Sequence, residues 1–140
     1  MKALTILQPY AHLIVTGEKL VENRTWPTRH RGPLLIHAGK NRSEVDNATD
    51  FELYEEYGEV LPFGAIVGRA QLVQCLKKEL IATKLYDDEF PWLRNHYHMN
   101  GPWCWILADV ERFEKPIPYQ GRQGLFDIPA IELDSLGIAA

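Results

Sequence analysis

Apolar and polar positions along the chain trace a series of short elements. Residues 3–7 alternate and are rich in β-prone side chains, which predicts a strand. Gln8-Pro9-Tyr10 then opens a helix, since Pro9 suits the first helical position. Tyr10, Leu13 and Ile14 form an i, i+3, i+4 apolar stripe, and Gly17 follows as a C-terminal cap. Residues 19–24 read as extended, with Leu20, Glu22 and Arg24 on one face and Val21 and Asn23 on the other. Trp26 to Gly32 is a loop by its Pro, Gly and polar content. The near-continuous apolar run Pro33 to Ala38 predicts a strand central in a sheet.

A polar turn at 39–43 leads to Ser43, which with Asp46 resembles a helix start. That helix is expected to run through Tyr54, with Phe51, Leu53 and Tyr54 inward, and to stop before Gly58. Residues 64–73 give the clearest strand, in which Gly64 and Gly68 suggest a bend or close backbone approach. A short helix is expected at 78–86, within a charged and aromatic stretch spanning 77–99. Residues 103–113 predict a strand pair or one long bent strand, Pro116-Ile117-Pro118 an edge, and 123–128 a closing segment. There is no internal repeat, low-complexity tract or linker, so residues 1–140 read as a single domain. The pattern establishes an α+β class. Several short strands around two or three helices suggest a small β-barrel with helices packed on the outside, an arrangement that removes exposed sheet edges.

Composition changes this picture in two ways. At 140 residues, with 46% hydrophobic and 24% charged, the chain can bury a core without a metal or disulfide staple. Cys75 and Cys104 stand apart from any CxxC pair and read as buried apolar groups. The first seven residues are too short for a signal segment, and no run of 18 apolar residues exists. A cytoplasmic location without membrane association is therefore expected, or a nuclear one for a eukaryotic source. The net charge of −4 opposes strong non-specific binding to a polyanion. It is unevenly spread, however. Residues 1–43 hold seven Lys or Arg against Glu18 and Glu22, a charge of +5, which leaves −9 for the remainder. A local basic patch of this kind is what contacts phosphates, although a solvated face by chance is the plain alternative.

The chemistry concentrates in that basic third. Lys19 leaves the scaffold just after a helix-ending glycine, where an ammonium can pair with phosphate or, if buried, serve as base or nucleophile. Glu22 and Arg24 share a strand face and can form a structural ion pair. Alternatively, Glu22 accepts from a base amino group or activates water while Arg24 holds phosphate. Strict alternation puts Lys19 on the face opposite Glu22, so a shared site requires a turn or bulge near Lys19. Arg29, His30, Arg31, Lys40 and Arg42 form a candidate phosphate-facing rim. Trp26, Trp103, Trp105, Tyr10 and Tyr119 are candidate base-stacking groups, with Trp26 the best placed and Trp105 expected in the core. His96-x-His98 lacks a third ligand at a recognised spacing, so no metal and no cofactor are expected. There is no GxxxxGK[ST] loop and no GxSxG elbow.

The segment Gln8-Pro9-Tyr10-Ala11, then Gly17-x-Lys19-x-x-Glu22-x-Arg24, then Trp26 and His30-Arg31-Gly32-Pro33-Leu34 resembles the ASCH family (activating signal cointegrator homology), its transcription cointegrator branch in particular. Residues 3–40 carry the resemblance. Gly64 to Gly68 and Pro116 to Tyr119 with Gly121 match more loosely. The resemblance implies a PUA-like β-barrel, an RNA-binding architecture, with a cleft between the first helix, the Gly17–Arg24 segment and neighbouring strands. Family members include RNA or DNA binders, a branch that hydrolyses N4-acylated cytidine, and a claimed ribonuclease. The deacylating branch uses a lysine, a hydroxyl residue and a glutamate. Lys19 matches the lysine, but Glu22 occupies the hydroxyl position, and the glutamate has no evident counterpart.

The expected function is a binding module for single-stranded RNA, another nucleic acid or a modified nucleotide. The expected contacts are Lys19, Glu22, Arg24, Trp26, Arg29, Arg31, Lys40 and Arg42. The rival is an amidohydrolase acting on N4-acylcytidine-type nucleosides through Lys19 and Glu22, or a ribonuclease. A third reading is a protein-interaction domain whose cleft is vestigial. A monomer is slightly favoured.

Overall fold

The computed structural model describes residues 1–46 and 61–140. Its centre is a six-stranded mixed sheet curled into a half-barrel, with strand order β2-β5-β4-β3-β1-β6. The strands are β1 (Lys2–Ile6), β2 (Val21–Arg24), β3 (Gly32–Ala38), β4 (Ala65–Lys77), β5 (Trp103–Pro118) and β6 (Leu125–Asp127). Four short helices accompany them among the described residues: α1 (Tyr10–Val15), α2 (Ser43–Asp46), α3 (Lys78–Ala82) and α4 (Ala130–Leu136). The α+β class expected from the strand pattern is therefore what the chain forms, and the expected small barrel takes the form of a curled half-barrel sheet.

Pairing is antiparallel throughout except for β1 and β3, which run parallel, with Thr5 opposite His37. The chain leaves the carboxyl ends of these two strands in different directions, to α1 from one and to the 39–42 turn from the other. A crevice opens where such connections diverge. The curl comes from the long β4–β5 ladder, which shifts register at three places between Ile66 and Gln74. Each shift bends the ribbon and increases its twist.

Three apolar clusters among the described residues fix this shape. Leu4, Ile14, Ile36 and Trp105 belong to the one beneath α1. Leu35, Ile66, Phe126 and Leu133 join β6 and α4 to the sheet. Val21, Leu76, Ile81, Leu93 and Ile106 seat α3 and the turns after it. Trp105 is fully buried and both cysteines are free buried thiols, as expected.

Several boundaries differ from the sequence reading. β4 continues four residues beyond Val73, to Lys77. Of the two alternatives for residues 103–113, the long bent strand holds, as part of one 16-residue strand, β5. That strand also absorbs Pro116 to Pro118, with Pro118 opposite Ala65. α3 ends at Ala82 instead of residue 86, and turns follow. α2 begins at Ser43 itself, and Asn41 Oδ1 accepts from Ser43 N at 2.9 Å in the turn before it. The expected continuation to Tyr54 and the stop before Gly58 lie outside the described residues. α4 was not anticipated, because its apolar face is only Leu133 and Leu136 packed on one cluster.

Candidate functional site

α1 gives way at Thr16 to Gly17, whose φ of +87° is a left-handed value that glycine adopts without a Cβ penalty. The reversal returns Lys19 N to the Leu13 carbonyl at 2.9 Å. Lys19 therefore lies in the turn before β2, free of the strand's alternation. Its side chain runs forward along the strand, donating from Nζ to Val21 O and to Glu22 Oε1, each at 2.7 Å. The other carboxylate oxygen of Glu22 meets Arg24 Nη2 at 3.0 Å. The same Nη2 donates to the Thr5 carbonyl of β1 at 2.8 Å.

The result is a cation–anion–cation chain at the seam of the half-barrel. Lys19 is 4% exposed and Glu22 7%. Ions this buried persist only when partnered and hydrogen-bonded. Both oxygens of Glu22 have cationic partners. Two of the three donors of the Lys19 ammonium are committed, and its Nζ lies 5.8 Å from the centre of the Tyr10 ring.

Asn23, on the opposite face of β2, organises the neighbouring wall. Its Nδ2 donates to His98 O at 2.8 Å, and its Oδ1 accepts from Asn100 N at 3.0 Å and Gly101 N at 2.8 Å. One side chain thereby holds the segment that carries His98 and Asn100 to the cleft. His96 does not face a ligand site: its Nε2 accepts from Leu20 N at 3.1 Å. Burial lowers the pKa of both imidazoles, with the neighbouring Lys19 charge adding to the effect on each. Among the described residues, no three His, Cys, Asp or Glu side chains converge to hold a metal ion.

The seam opens into two adjoining half-clefts that share Thr5 and Arg24. The first, about 460 Å³, is lined by Tyr10, Lys19, Glu22, Arg24, His98 and Asn100 among others. The second, about 630 Å³, is lined by Trp26, His37, Lys40 and the Gln120–Gly124 loop. Trp26 is pinned in place by Trp105, whose ring meets it edge-on at 4.8 Å and whose Nε1 donates to its carbonyl at 3.2 Å.

The structure thus brings together five of the eight expected contact residues: Lys19, Glu22 and Arg24 on one side, Trp26 and Lys40 on the other, with Arg24 common to both. Arg29, Arg31 and Arg42 line neither half. Arg31 reaches Gln74 Oε1 at 2.9 Å and two carbonyls of its own loop, and Arg42 lies 4.2 Å over the Phe63 ring. Of the other aromatic candidates, Tyr119 stacks on Phe126 and Trp103 lies beneath Lys77, away from the seam. Thr5, His98, Asn100 and the 120–124 loop were not anticipated. The one signal for the loop was its composition, Gln-Gly-Arg-Gln-Gly, which combines cation, amide and flexible backbone.

A model of the ASCH domain family matches residues 4–117. The chain is 26% identical over 133 residues to human activating signal cointegrator 1, covering 89% of this chain and 22% of that protein. It is 32% identical over 96 residues to the mouse protein of the same name, covering 63% of this chain and 16% of the relative. It therefore spans less than a quarter of the length of either. Among solved structures, ASCH from Zymomonas mobilis superposes with a TM-score of 0.59 at 17% identity, covering 97% of this chain and 92% of the other. A single-residue mutant of that Zymomonas mobilis protein superposes at 0.58 with the same identity, covering 97% and 95%. These structural matches concern the fold.

Proposed function

The chain belongs to the ASCH domain family, and from that premise we propose that it is a nucleic-acid-binding module whose seam cleft holds a single-stranded segment or a modified nucleotide. The observation that carries this reading is the charge and shape of the two half-clefts. Among the described lining residues stand the cations Lys19, Arg24, Lys40 and Arg122 against one carboxylate, Glu22, whose two oxygens are already paired. Trp26 offers a ring beside them, and base–aromatic stacking contributes about 1–3 kcal/mol per base. The cleft is a crevice between turns. It suits bases that are splayed out, which single strands present and an A-form duplex does not. An overall charge of −4 is compatible with this, because the contact is local.

Hydrolysis of an N4-acylated cytidine would need Lys19 or Glu22 to move a proton. Both are instead held in short mutual bonds, so the geometry supports binding better than turnover. The test compares a short single-stranded RNA with a duplex of the same sequence, and incubates the protein with N4-acetylcytidine alongside. Preference for the single strand, weakening as salt rises, is expected. Turnover of N4-acetylcytidine that is lost in Lys19→Met would replace this reading with the hydrolase.

A further inference from the structure

The two halves of the cleft differ in charge and in backbone character, and the difference suggests a division of labour. The half around Lys19 and Glu22 contains a saturated carboxylate, amides and an aromatic ring, which suit a base or sugar. The half around Trp26 has Arg24, Lys40 and Arg122 and no carboxylate among its described lining residues. It is also lined by Gly39, Gly121 and Gly124, which allow an anion close to the backbone.

A part-buried pair of side chains fixes the wall of this second half. His37 of β3 and Thr5 of β1 lie opposite each other in the parallel ladder, with Nδ1 and Oγ1 3.2 Å apart. His37 Nε2–H donates to the Tyr119 carbonyl at 2.6 Å, and Thr5 Oγ1–H donates to the Arg122 carbonyl at 2.9 Å. Gly121 lies directly on this pair: a Cβ there would overlap the His37 ring and come within 2.7 Å of the Thr5 hydroxyl. The loop that carries Arg122 is thus pinned by two side chains from the sheet.

The proton count at this pair is informative. Thr5 has a single hydroxyl proton. If it goes to the Arg122 carbonyl, Nδ1 of His37 must itself be a donor for the third bond to form, and the ring is then an imidazolium. Burial and the nearby Lys40 charge hold the free ring's pKa low, with the Tyr119 carbonyl acting the other way. Among the described residues, the Thr5 hydroxyl from β1, the Tyr119 carbonyl from the loop after β5 and the Lys40 charge from the turn after β3 act on His37, while Arg24 from β2 and Arg122 line the same half-cleft. None of these supplies a negative charge, whereas a bound anion would.

We infer that the Trp26–Arg122 half is a phosphate subsite, taking the phosphate of a nucleotide whose base or sugar lies in the Lys19–Glu22 half, and that filling it protonates His37. This rests on the nucleic-acid reading above and adds to it the residues Arg122, His37 and Gly121. For a phosphodiester, whose charge does not change near neutral pH, binding should strengthen as pH falls through the range in which His37 titrates.

The probes are the four common nucleosides, their 5′-monophosphates and inorganic phosphate, followed by amide and imidazole NMR on the whole chain. Monophosphates are expected to bind about tenfold tighter than the nucleosides, the order of one charge-assisted contact. Inorganic phosphate should shift the Gly121 and Gly124 amides saturably and raise the His37 pKa. Both effects should vanish in the Lys40→Gln/Arg122→Gln double variant, whose exposed positions leave the core intact. Equal affinity for nucleosides and monophosphates, or phosphate shifts that survive in the double variant, would overturn the inference. If phosphate shifts appear as expected but no RNA binds, the subsite stands and the nucleic-acid reading falls.

Discussion

Arg24 and Thr5 belong to strands near opposite edges of the six-stranded sheet, yet Arg24 Nη2 donates to the Thr5 carbonyl at 2.8 Å. This contact joins β2 to β1 across the open side of the half-barrel. It explains why the same guanidinium lines both half-clefts. The Lys19–Glu22–Arg24 chain is therefore both the closure of the fold and the floor of the candidate site.

Removing the anion from that chain should be costly. Glu22→Gln leaves two cations facing each other, one of them Lys19 at 4% exposure. Breaking a buried pair on one side costs about 3–5 kcal/mol, and solvent access to Arg24 places this case at the lower end. Urea denaturation should show the midpoint falling by that energy divided by the slope, with the slope itself unchanged. A loss under about 1 kcal/mol would mean that the carboxylate is not the centre of the network.

Asn23→Ala removes three hydrogen bonds to the 98–101 segment. Two of the orphaned groups are backbone N–H donors, so a cost of about 1–3 kcal/mol is expected. Hydrogen exchange should accelerate at the Asn100 and Gly101 amides, and ligand binding in the Lys19 half should weaken through loss of the wall. Unchanged exchange at these two amides would show that the segment is held by other contacts.

Acid should destabilise the fold before it titrates most carboxylates. Burial is the largest cause of the lowered pKa of His37, His96 and His98 relative to 6.5. For a basic group depressed in the folded state, the unfolded chain binds the proton first. Stability is then complete above the unfolded value and is lost as pH falls below about 6.5, until the folded group also titrates. Thermal melts between about pH 7.5 and 5.5 should show a falling Tm, with a shallower slope in His37→Asn. A Tm that rises on acidification would contradict this. Phosphate-bearing ligands should act the other way, because they favour charged His37.

Much of the site's core was legible because it is local. Gly17 signals the reversal, and alternation correctly puts Glu22 and Arg24 on one face with Val21 and Asn23 on the other. Lys19 joined them through a turn whose geometry the sequence permitted but did not dictate. What could not be read is everything that depends on sheet order. Thr5 meets Arg24 across the seam, and His37 meets the Tyr119 carbonyl 82 residues away. Arg29 and Arg31 looked equivalent to Lys40 as basic loop residues. Only the fold turns Lys40 into the cleft and commits Arg31 to Gln74. α4 was missed because two inward apolar positions do not make a periodic signal.

The most direct test of the nucleic-acid reading is a fluorescence anisotropy titration of a labelled short single-stranded RNA across a salt series. Wild type is compared with Trp26→Ala, Arg24→Gln and Lys115→Gln, the last being an exposed cation that does not line the cleft. The account predicts binding that weakens as salt rises, about tenfold weaker binding or more for Trp26→Ala and Arg24→Gln, and no change for Lys115→Gln. Absence of binding at low salt, or equal losses in all three variants, would contradict it.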